Sequence, residues 1–409
     1  MNLNFKKYFF LTLLLIFTTE NVLSKPYLES LIRERAIAEG YKLPNETHQK
    51  VDKDLVQLGK VFFESKNLSL NGNVACASCH FNSAASADGL PNAFGIGGDG
   101  EGISRYKSGG KIVPRNTLAL WGVGSIGFET FFWDGRVNAK SDNIVSQFGN
   151  NPPSDDLLIV AVHLPVVEIR ETLEEDSFVQ LYKKETTDAA NEIYKRVVNK
   201  LVETENDAVA KLASELNIKV QEVGFADIAL SIAHFIRDEF KLRPSKFSNF
   251  MDGENTLNEN ELNGALVFYG KGGCASCHSG PYFSDFNFYT IPFPQLGFGK
   301  NGFGVDYGLY NTTFDPMDQY KFRTPSLHNV SLTGPYGHSG SVFMLKDTIR
   351  YHFDPLHNFN ASELSPLKRH EYYKYLAKND TLDIVQHLND REIEELVSFL
   401  KTLEFDSND

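Results

Sequence analysis

All four cysteines of this chain occur in two copies of one short pattern. Residues 76–80 and 274–278 both read Cys-Ala-Ser-Cys-His. Two thiols at this spacing can bond to the two vinyl groups of one porphyrin, and the adjacent imidazole then lies beneath its iron. The pattern therefore predicts two covalently attached c-type haems. The predicted attachment residues are Cys76, Cys79, Cys274 and Cys277, and the predicted proximal iron ligands are His80 and His278.

Short-loop disulfides, a split zinc site and a thioredoxin-like redox motif are the other roles for such cysteine pairs. Four sulfurs could bind zinc, but the two pairs are far apart in the chain, and zinc gives no reason for a histidine after each pair. Since both pairs are assigned to haem, no cysteine is left for a structural disulfide. Packing and the haems themselves must then stabilise the fold.

The first 24 residues have the composition of a secretory signal peptide. Lys6 and Lys7 precede an apolar run from Tyr8 to Phe17, which is followed by Val22–Ser24. We expect cleavage after Ser24 and a periplasmic mature protein. The run is shorter than the roughly 20 apolar residues of a membrane span, and no later stretch approaches that length. An uncleaved N-terminal anchor is the alternative.

The charge of the chain points to particular classes of partner. The formal net charge is −13, and removal of the leader, which has two lysines and one glutamate, makes it more negative. A strongly acidic protein is not expected to bind nucleic acid, whereas a basic redox protein is a suitable partner.

Apolar residues recur at helical spacing in many segments, which predicts a mostly α-helical fold. Proline and polar residues from Arg243 onward mark a domain boundary. We therefore predict a signal peptide at 1–24 and domains at 25–244 and 245–409, each with one haem motif. Residues 364–380 resemble a charged surface insertion. The clearest predicted helices cover residues 27–38, 187–203, 224–241, 257–269, 345–352 and 388–403, and a further predicted helix before the first cysteine motif contains Leu55, Leu58, Val61 and Phe62.

Other motifs accompany the cysteine pairs. They are Phe-Trp-Asp-Gly-Arg at 132–136, Phe-Arg-Thr-Pro-Ser-Leu at 322–327 and Thr-Gly-Pro-Tyr-Gly-His at 333–338. In combination with two haem motifs, they resemble the bacterial di-haem cytochrome c peroxidase and MauG superfamily. The resemblance implies two cytochrome c-like domains, each built around one covalent haem.

The resemblance also implies roles for single residues. Trp133 would lie between the haems and conduct electrons, although a core aromatic is the plainer role for a tryptophan. Arg323 and His338 would pair with haem propionates, where a cation offsets buried carboxylate charge.

A calcium site is a further implication of the resemblance. Asn116 and the main-chain carbonyls of Thr333 and Pro335 would hold the ion between the domains. Neutral oxygen ligands together with water suit calcium.

The acid/base residue is expected after a proline on the distal side of the first haem. In the family a glutamate follows that proline by six residues, and Pro165 and Glu171 keep this spacing. The glutamine expected four residues before the proline is Ala161 here. Glu171 is therefore the first candidate to move a proton between the two peroxide oxygens, and Glu168 is the alternative. The plainer alternative, in which the glutamate is a solvent-exposed helix residue without a catalytic role, also remains open.

The first haem is expected to be five-coordinate. Conventional peroxidases of the family have a histidine on the loop before the Pro-Arg-Asn motif, a place that falls near Ser108 here. No histidine occurs between His80 and His163. The first iron would then be open to peroxide without prior reduction, and in this respect the chain resembles MauG more than the conventional peroxidases.

The second haem is expected to have two histidine ligands. The family places its distal ligand fourteen residues beyond the propionate histidine, and this position is His352. Tyr351 is a competitor because a tyrosine serves this role in MauG, and Met344 is another. Two imidazoles should lower the potential of this iron relative to a His/Met site.

These features predict a peroxidase that reduces hydrogen peroxide to water with electrons from a small c-type cytochrome or another redox protein. One alternative is a MauG-like di-haem oxidase that modifies a partner protein. Another is a non-catalytic di-haem electron carrier, whose irons would normally both be six-coordinate. The sequence leaves the donor and the oligomeric state open, and a homodimer is one option.

Overall fold

A computed structural model of the chain describes residues 24–140, 143–174, 186–254, 256–300, 302, 304–358 and 360–405. Apart from Ser24, the predicted signal peptide lies outside these residues. Among the helices so described, none has both the length and the apolar character needed to cross a bilayer.

Helices dominate the regular structure, as the sequence predicted. Each predicted helix is present to within a few residues, whereas α3, α4, α6, α8, α10 and α12 were not predicted. The α-helices are α1 (Lys25–Ala38), α2 (Lys53–Glu64), α3 (Ile103–Lys107), α4 (Leu157–Val166), α5 (Thr187–Thr204), α6 (Asn206–Glu215), α7 (Phe225–Glu239), α8 (Lys246–Met251), α9 (Glu259–Tyr269), α10 (Tyr310–Thr313), α11 (Leu345–Tyr351), α12 (Pro366–Ala377) and α13 (Asp390–Lys401).

The strands are short, and each pairs only with the strand before or after it in the chain. All pairs are antiparallel: β1 with β2, β3 with β4, β4 with β5, and β6 with β7. They pin the loops around the cysteine motifs and form no large sheet among the described residues. Their bounds are β1 (Ala93–Phe94), β2 (Ile112–Val113), β3 (Thr130–Phe131), β4 (Val137–Lys140), β5 (Asn143–Val145), β6 (Phe288–Tyr289) and β7 (Phe322–Arg323).

Two main apolar cores lie in the two halves of the chain. The first is built mainly from α2, α4, α5, α6 and α7, and the second from α8, α9 and α13. Ile32 and Ala36 of α1 belong to the second core, and Arg33 Nε donates a hydrogen bond to Phe250 O at 3.0 Å. The first helix thus packs with the later half of the chain, and the division at residues 244 and 245 stays a prediction.

One helix crossing is repeated in both halves. A Cβ atom on Gly59 of α2 would lie 1.9 Å from Ser231 O of α7, and one on Gly264 of α9 would lie 1.9 Å from Glu395 O of α13. Only glycine permits main chains to approach this closely. Each half therefore has a helix before its cysteine motif that crosses a later helix through one glycine.

The last helix, predicted over residues 388–403, begins at Asp390. Asn389 Oδ1 accepts a hydrogen bond from Glu392 N at 3.0 Å, and the Glu392 side chain accepts one from Asn389 N at 2.9 Å. This reciprocal pair satisfies amide groups that the first turn leaves free. It fixes the start of α13, whose buried face includes Ile393, Leu396 and Leu400.

Candidate active site

The first cysteine motif lies in the wall of a large apolar cavity in the first half. Cys76, Cys79 and His80 all line it. Nδ1 of His80 lies 2.9 Å from Ser86 O, and because a carbonyl only accepts, this nitrogen has the proton. Burial lowers the pKa of His80, so the ring is neutral. Its Nε2 lone pair is then available to a metal.

The second motif repeats this arrangement in a second cavity. Cys274, Cys277 and His278 line it, and Nδ1 of His278 donates to Phe283 O at 2.9 Å. Burial lowers the pKa of His278 to about 4. Two thiols and one oriented neutral imidazole in an apolar cavity are the donor set that a covalent haem requires. Both cavities therefore fit that cofactor.

A further histidine lines the second cavity. His352, at the end of α11, donates from Nδ1 to Thr348 O at 2.9 Å, and burial lowers its pKa. Its Nε2 therefore has a free lone pair, as in His278. The other two candidates for the sixth ligand are not among the described lining residues. Tyr351 is 5% exposed and packs against Phe293, and the side chain of Met344 is 54% exposed.

The first cavity has His80 as the one histidine among its described lining residues. Ser108, at the place of the distal histidine in conventional peroxidases, instead closes α3 by donating from Oγ to Ser104 O at 2.8 Å. His163 is buried and packs edge-on against the rings of Tyr194 and Phe225. This arrangement is compatible with an open position above a first iron.

Glu168 and Glu171 both line the first cavity, in the turn that follows α4. Glu168 forms ion pairs with Arg136 and, at 2.7 Å, with Lys300. Burial would raise the pKa of Glu168, but Lys300 and Arg136 outweigh it and lower the value to about 2. Glu168 is thus a fixed anion at neutral pH.

Glu171 has the opposite electrostatic environment. Burial, reinforced by the negative charge of Glu168, raises the pKa of Glu171 to about 7, against the opposing effect of Arg136 and Lys300. A carboxyl group with this pKa can both accept and release a proton near neutral pH. Of the two glutamates, Glu171 has the properties of an acid/base group.

Gly95 allows the Glu171 turn to pack against the loop after the first cysteine motif. A Cβ atom there would lie 2.0 Å from Arg170 O and 2.6 Å from Glu171 Cα. The next residue, Ile96, donates its main-chain N–H to Arg170 O at 3.0 Å. These contacts hold the main chain of Glu171 in a fixed position beside the cavity.

Trp133 lies between the two cavities and lines both, as does Asn116. The indole Nε1 donates to Asn116 O at 2.9 Å. The buried ring is therefore held in one orientation. This is the position that an electron conduit between the haems would need.

Arg323 also lines both cavities, and it is 4% exposed. Its described hydrogen bonds go to main-chain carbonyls, namely Phe132 O at 3.0 Å and Thr324 O at 3.2 Å. Burial lowers the pKa of Arg323 to about 10. A buried cation is costly unless an anion accompanies it. Haem carboxylates in the cavities would provide that anion.

His338 lines the second cavity and stacks on Phe322, with ring centroids 3.9 Å apart. Its Nε2 lies 2.9 Å from Gln295 Oε1, and burial lowers its pKa to about 4. Pairing of His338 with a propionate would require protonation of the ring or release of Gln295. The propionate role of His338 stays a prediction.

The three residues of the expected calcium site all line the second cavity. Asn116 Nδ2 donates to Pro335 O at 2.6 Å, so two of the expected ligands already lie side by side. To bind a cation, the amide of Asn116 would turn its oxygen toward the carbonyls of Thr333 and Pro335. The calcium site stays a prediction.

A chain of buried charges, which the sequence did not predict, connects the site residues. Arg115 contacts Asp134 at 2.6 Å and Asp306 at 2.9 Å, and Asp134 also accepts from Arg136 Nε at 3.1 Å. Arg136 also pairs with Glu168, which in turn pairs with Lys300. Arg115 and Asp134 lie in motifs noted above, but Asp306 and Lys300 are in a glycine-rich loop and had no sequence signal.

The sequence model of the di-haem cytochrome c peroxidase family matches residues 53–256. Cytochrome-c peroxidase IdrP1 of Pseudomonas sp. is 28% identical over 338 residues, which cover 76% of this chain and 74% of that protein. Methylamine utilization protein MauG of Methylorubrum extorquens is 24% identical, with 88% of this chain and 81% of MauG covered.

Solved structures share the fold. A MauG-like protein associated with microbial copper homeostasis superposes with a TM-score of 0.62 at 23% identity, covering 89% of this chain and 93% of that one. The chain belongs to the bacterial di-haem cytochrome c peroxidase and MauG superfamily. Membership implies an oxidoreductase with two haem c groups, and the relatives include both peroxidases and MauG.

Proposed function

We propose that this protein is a periplasmic peroxidase that reduces hydrogen peroxide to water with electrons from a small redox protein. The observation that carries the proposal is Glu171, which lines the cavity of the first cysteine motif and whose pKa is raised to about 7 by burial and by the nearby negative charge of Glu168. A pure electron carrier has no need of a carboxyl group with a pKa near neutrality at an open cavity.

A haem bound through Cys76 and Cys79 would supply an iron at which the O–O bond of peroxide breaks, and the second haem would store electrons. Glu171 accepts the proton from the peroxide oxygen nearer the iron and delivers it to the farther oxygen, which leaves as water. Two electrons and two protons in total convert peroxide into two waters. The neighbouring charges of Arg136 and Lys300 keep Glu168 ionised, so Glu171 alone of this pair exchanges the proton.

Electrons reach the first cavity from the second through Trp133. The orientation of His278 and His352, each with Nδ1 bound to a carbonyl and Nε2 free, supports two imidazole ligands for the second iron. A closed, two-imidazole site suits electron storage, because no substrate can displace a ligand there.

We further propose two cytochrome c-like domains, one around each cysteine motif, joined through a calcium ion at Asn116, Thr333 and Pro335. The repeated glycine crossings at Gly59 and Gly264 support domains of one kind. The neutral oxygens of Asn116, Thr333 and Pro335, which come from both proposed domains, suit calcium.

A MauG-like oxidation of a partner protein is the second candidate. Its support is the similarity to MauG together with the serine at the place of the distal histidine. Steady-state turnover separates the candidates: the oxidised holoprotein is mixed with hydrogen peroxide and a reduced small c-type cytochrome. A peroxidase oxidises two cytochromes for each peroxide consumed. Peroxide use without cytochrome oxidation would favour the oxidase, and no peroxide use would overturn both.

A further inference from the structure

A cluster of tyrosines extends from Trp133 to the outside of the second half. Tyr320, Tyr372 and Tyr375 share a buried cluster with Trp133. Two of these tyrosines are in α12, within the segment expected to be a charged surface insertion. That expectation is wrong for this face of the helix, which covers the cluster. Several oxidisable rings therefore adjoin the residue that lies between the haem cavities.

The rings form a continuous row from Trp133 to Tyr320. The centroids of Trp133 and Phe322 are 6.4 Å apart, and Phe322 stacks on His338 at 3.9 Å. His338 lies 6.5 Å from Tyr375, which stacks on Tyr320 at 5.1 Å. Electron transfer falls steeply with distance, so a row of neighbouring rings is a suitable conductor.

The row continues from Tyr320 to the surface. Tyr307 lies 5.6 Å from Tyr320, and Tyr310 lies 5.9 Å from Tyr307. The ring of Phe314 follows at 6.1 Å from Tyr310, and this side chain is 74% exposed. One end of the row therefore lies between the haem cavities and the other end contacts solvent.

Tyr320 differs from the other tyrosines of the cluster in its hydrogen-bond acceptor. The residue is buried, and its hydroxyl donates to Glu371 Oε2 at 3.1 Å. The hydroxyls of Tyr372 and Tyr375 donate to main-chain carbonyls. A carboxylate can take up a proton, but an amide carbonyl cannot do so near neutral pH.

Glu371 is suited to accept that proton. Lys374 Nζ donates to its other oxygen at 2.9 Å. Burial opposes ionisation of Glu371, but the hydrogen bonds from Lys374 and Tyr320 outweigh this effect and hold its pKa below the ordinary value. The side chain is therefore a carboxylate at neutral pH and has a free place for a proton. The ammonium of Lys378 lies 5.8 Å from the centroid of Tyr320, and it would repel a positively charged ring. Oxidation of Tyr320 therefore requires that its proton leave with the electron.

We propose that Tyr320, with Glu371 as its proton acceptor, is a redox-active tyrosine that supplies an electron through the row to Trp133 when the external donor is exhausted. The phenol of Tyr320 loses one electron toward Tyr375 and its proton to Glu371. The products are a neutral tyrosyl radical and a neutral carboxylic acid. The electron contributes to the reduction of hydrogen peroxide, so the inference rests on the proposed function.

The radical is reduced again from the surface. A one-electron reductant in solution, such as a small phenol, delivers an electron at the exposed end of the row through Tyr310 and Tyr307. Glu371 returns the proton, which restores the phenol of Tyr320. In this way an oxidising equivalent leaves the region of Trp133 before it damages the protein.

The test mixes the oxidised holoprotein with hydrogen peroxide in the absence of a donor. Part of each sample is frozen for electron paramagnetic resonance, part is assayed for remaining peroxide, and part is digested for mass spectrometry of oxidised residues. The wild type should show a tyrosyl radical, and so should Tyr372→Phe, the matched control in the same cluster. Tyr320→Phe and Glu371→Gln should both lose the radical and show more oxidation at Trp133.

The outcomes separate the two claims. If the wild type consumes no peroxide, the proposed function fails and the inference fails with it. If the wild type consumes peroxide but forms no tyrosyl radical, only the inference is overturned. The inference is also overturned if Tyr320→Phe retains the radical, or if Tyr372→Phe and Tyr320→Phe lose it equally. Retention of the radical in Glu371→Gln would overturn the role of Glu371.

Discussion

Replacement of Glu171 by glutamine removes the proposed proton carrier and keeps the size of the side chain. Because Glu171 is expected to move the proton between the peroxide oxygens, its loss should slow peroxide cleavage by about 10²-fold or more, or about 2.7 kcal/mol in barrier. The haem spectra should not change, since the substitution leaves the hydrogen bond between His80 Nδ1 and Ser86 O in place. Rapid mixing of the oxidised holoprotein with peroxide measures the rate.

The pH dependence gives a second measure of the same group. The raised pKa of Glu171, about 7, means that the carboxyl group is mostly protonated below that pH and cannot take the proton of peroxide. The wild-type rate should therefore fall about tenfold for each pH unit below the pKa of the essential base. The Glu171→Gln variant should lack this slope.

Glu168→Gln is the matched control. It removes the negative charge that raises the pKa of Glu171, so the pH midpoint should move below 7, with a smaller loss of rate at neutral pH. If Glu168→Gln abolishes the rate and Glu171→Gln does not, the assignment of roles within this pair is wrong. If neither variant affects the rate, the acid/base mechanism itself is refuted.

Other features of the structure give further expectations. His352→Ala should convert the low-spin ferric signal of the second haem to a high-spin signal in electron paramagnetic resonance and leave the signal of the first haem intact. If both signals are unchanged, a residue other than His352 is the sixth ligand of the second iron. Gly59→Ala should destabilise the fold by about 1–3 kcal/mol in chemical unfolding, because the new methyl group meets Ser231 O. Gly224→Ala should have little effect, because a Cβ atom there meets only Asp227 Oδ2, at an ordinary contact distance of 3.8 Å. Elemental analysis should find one calcium per chain, and chelation should slow electron transfer between the haems; a calcium-free protein with full activity would contradict the site at Asn116.

The two cysteine motifs and about half of the α-helices could be recognised from the sequence because their causes are local. A Cys-x-x-Cys-His motif has its donors within five residues, and helical periodicity is visible in one segment at a time. The start of α13 has a local cause of the same kind, since Asn389 and its hydrogen-bond partner Glu392 lie three residues apart.

The remaining features depend on residues distant in the chain. The spacing from Pro165 pointed to Glu171, but Glu168 differs from it only because Lys300 and Arg136 approach from other segments. The packing of α1 in the second core could not be read from its own pattern, which shows a buried face without its neighbour. In α12, likewise, the charged residues concealed the face with Tyr372 and Tyr375.

The central claim is an open first iron and a peroxidase reaction that starts from the oxidised protein. The most direct test mixes the fully oxidised holoprotein with one equivalent of hydrogen peroxide, without donor or reductant, and follows the remaining peroxide together with the haem spectrum. We predict prompt loss of peroxide with a simultaneous spectral change. Peroxide that persists until an electron is added would mean that a ligand closes the first iron at rest, and it would contradict an open first iron.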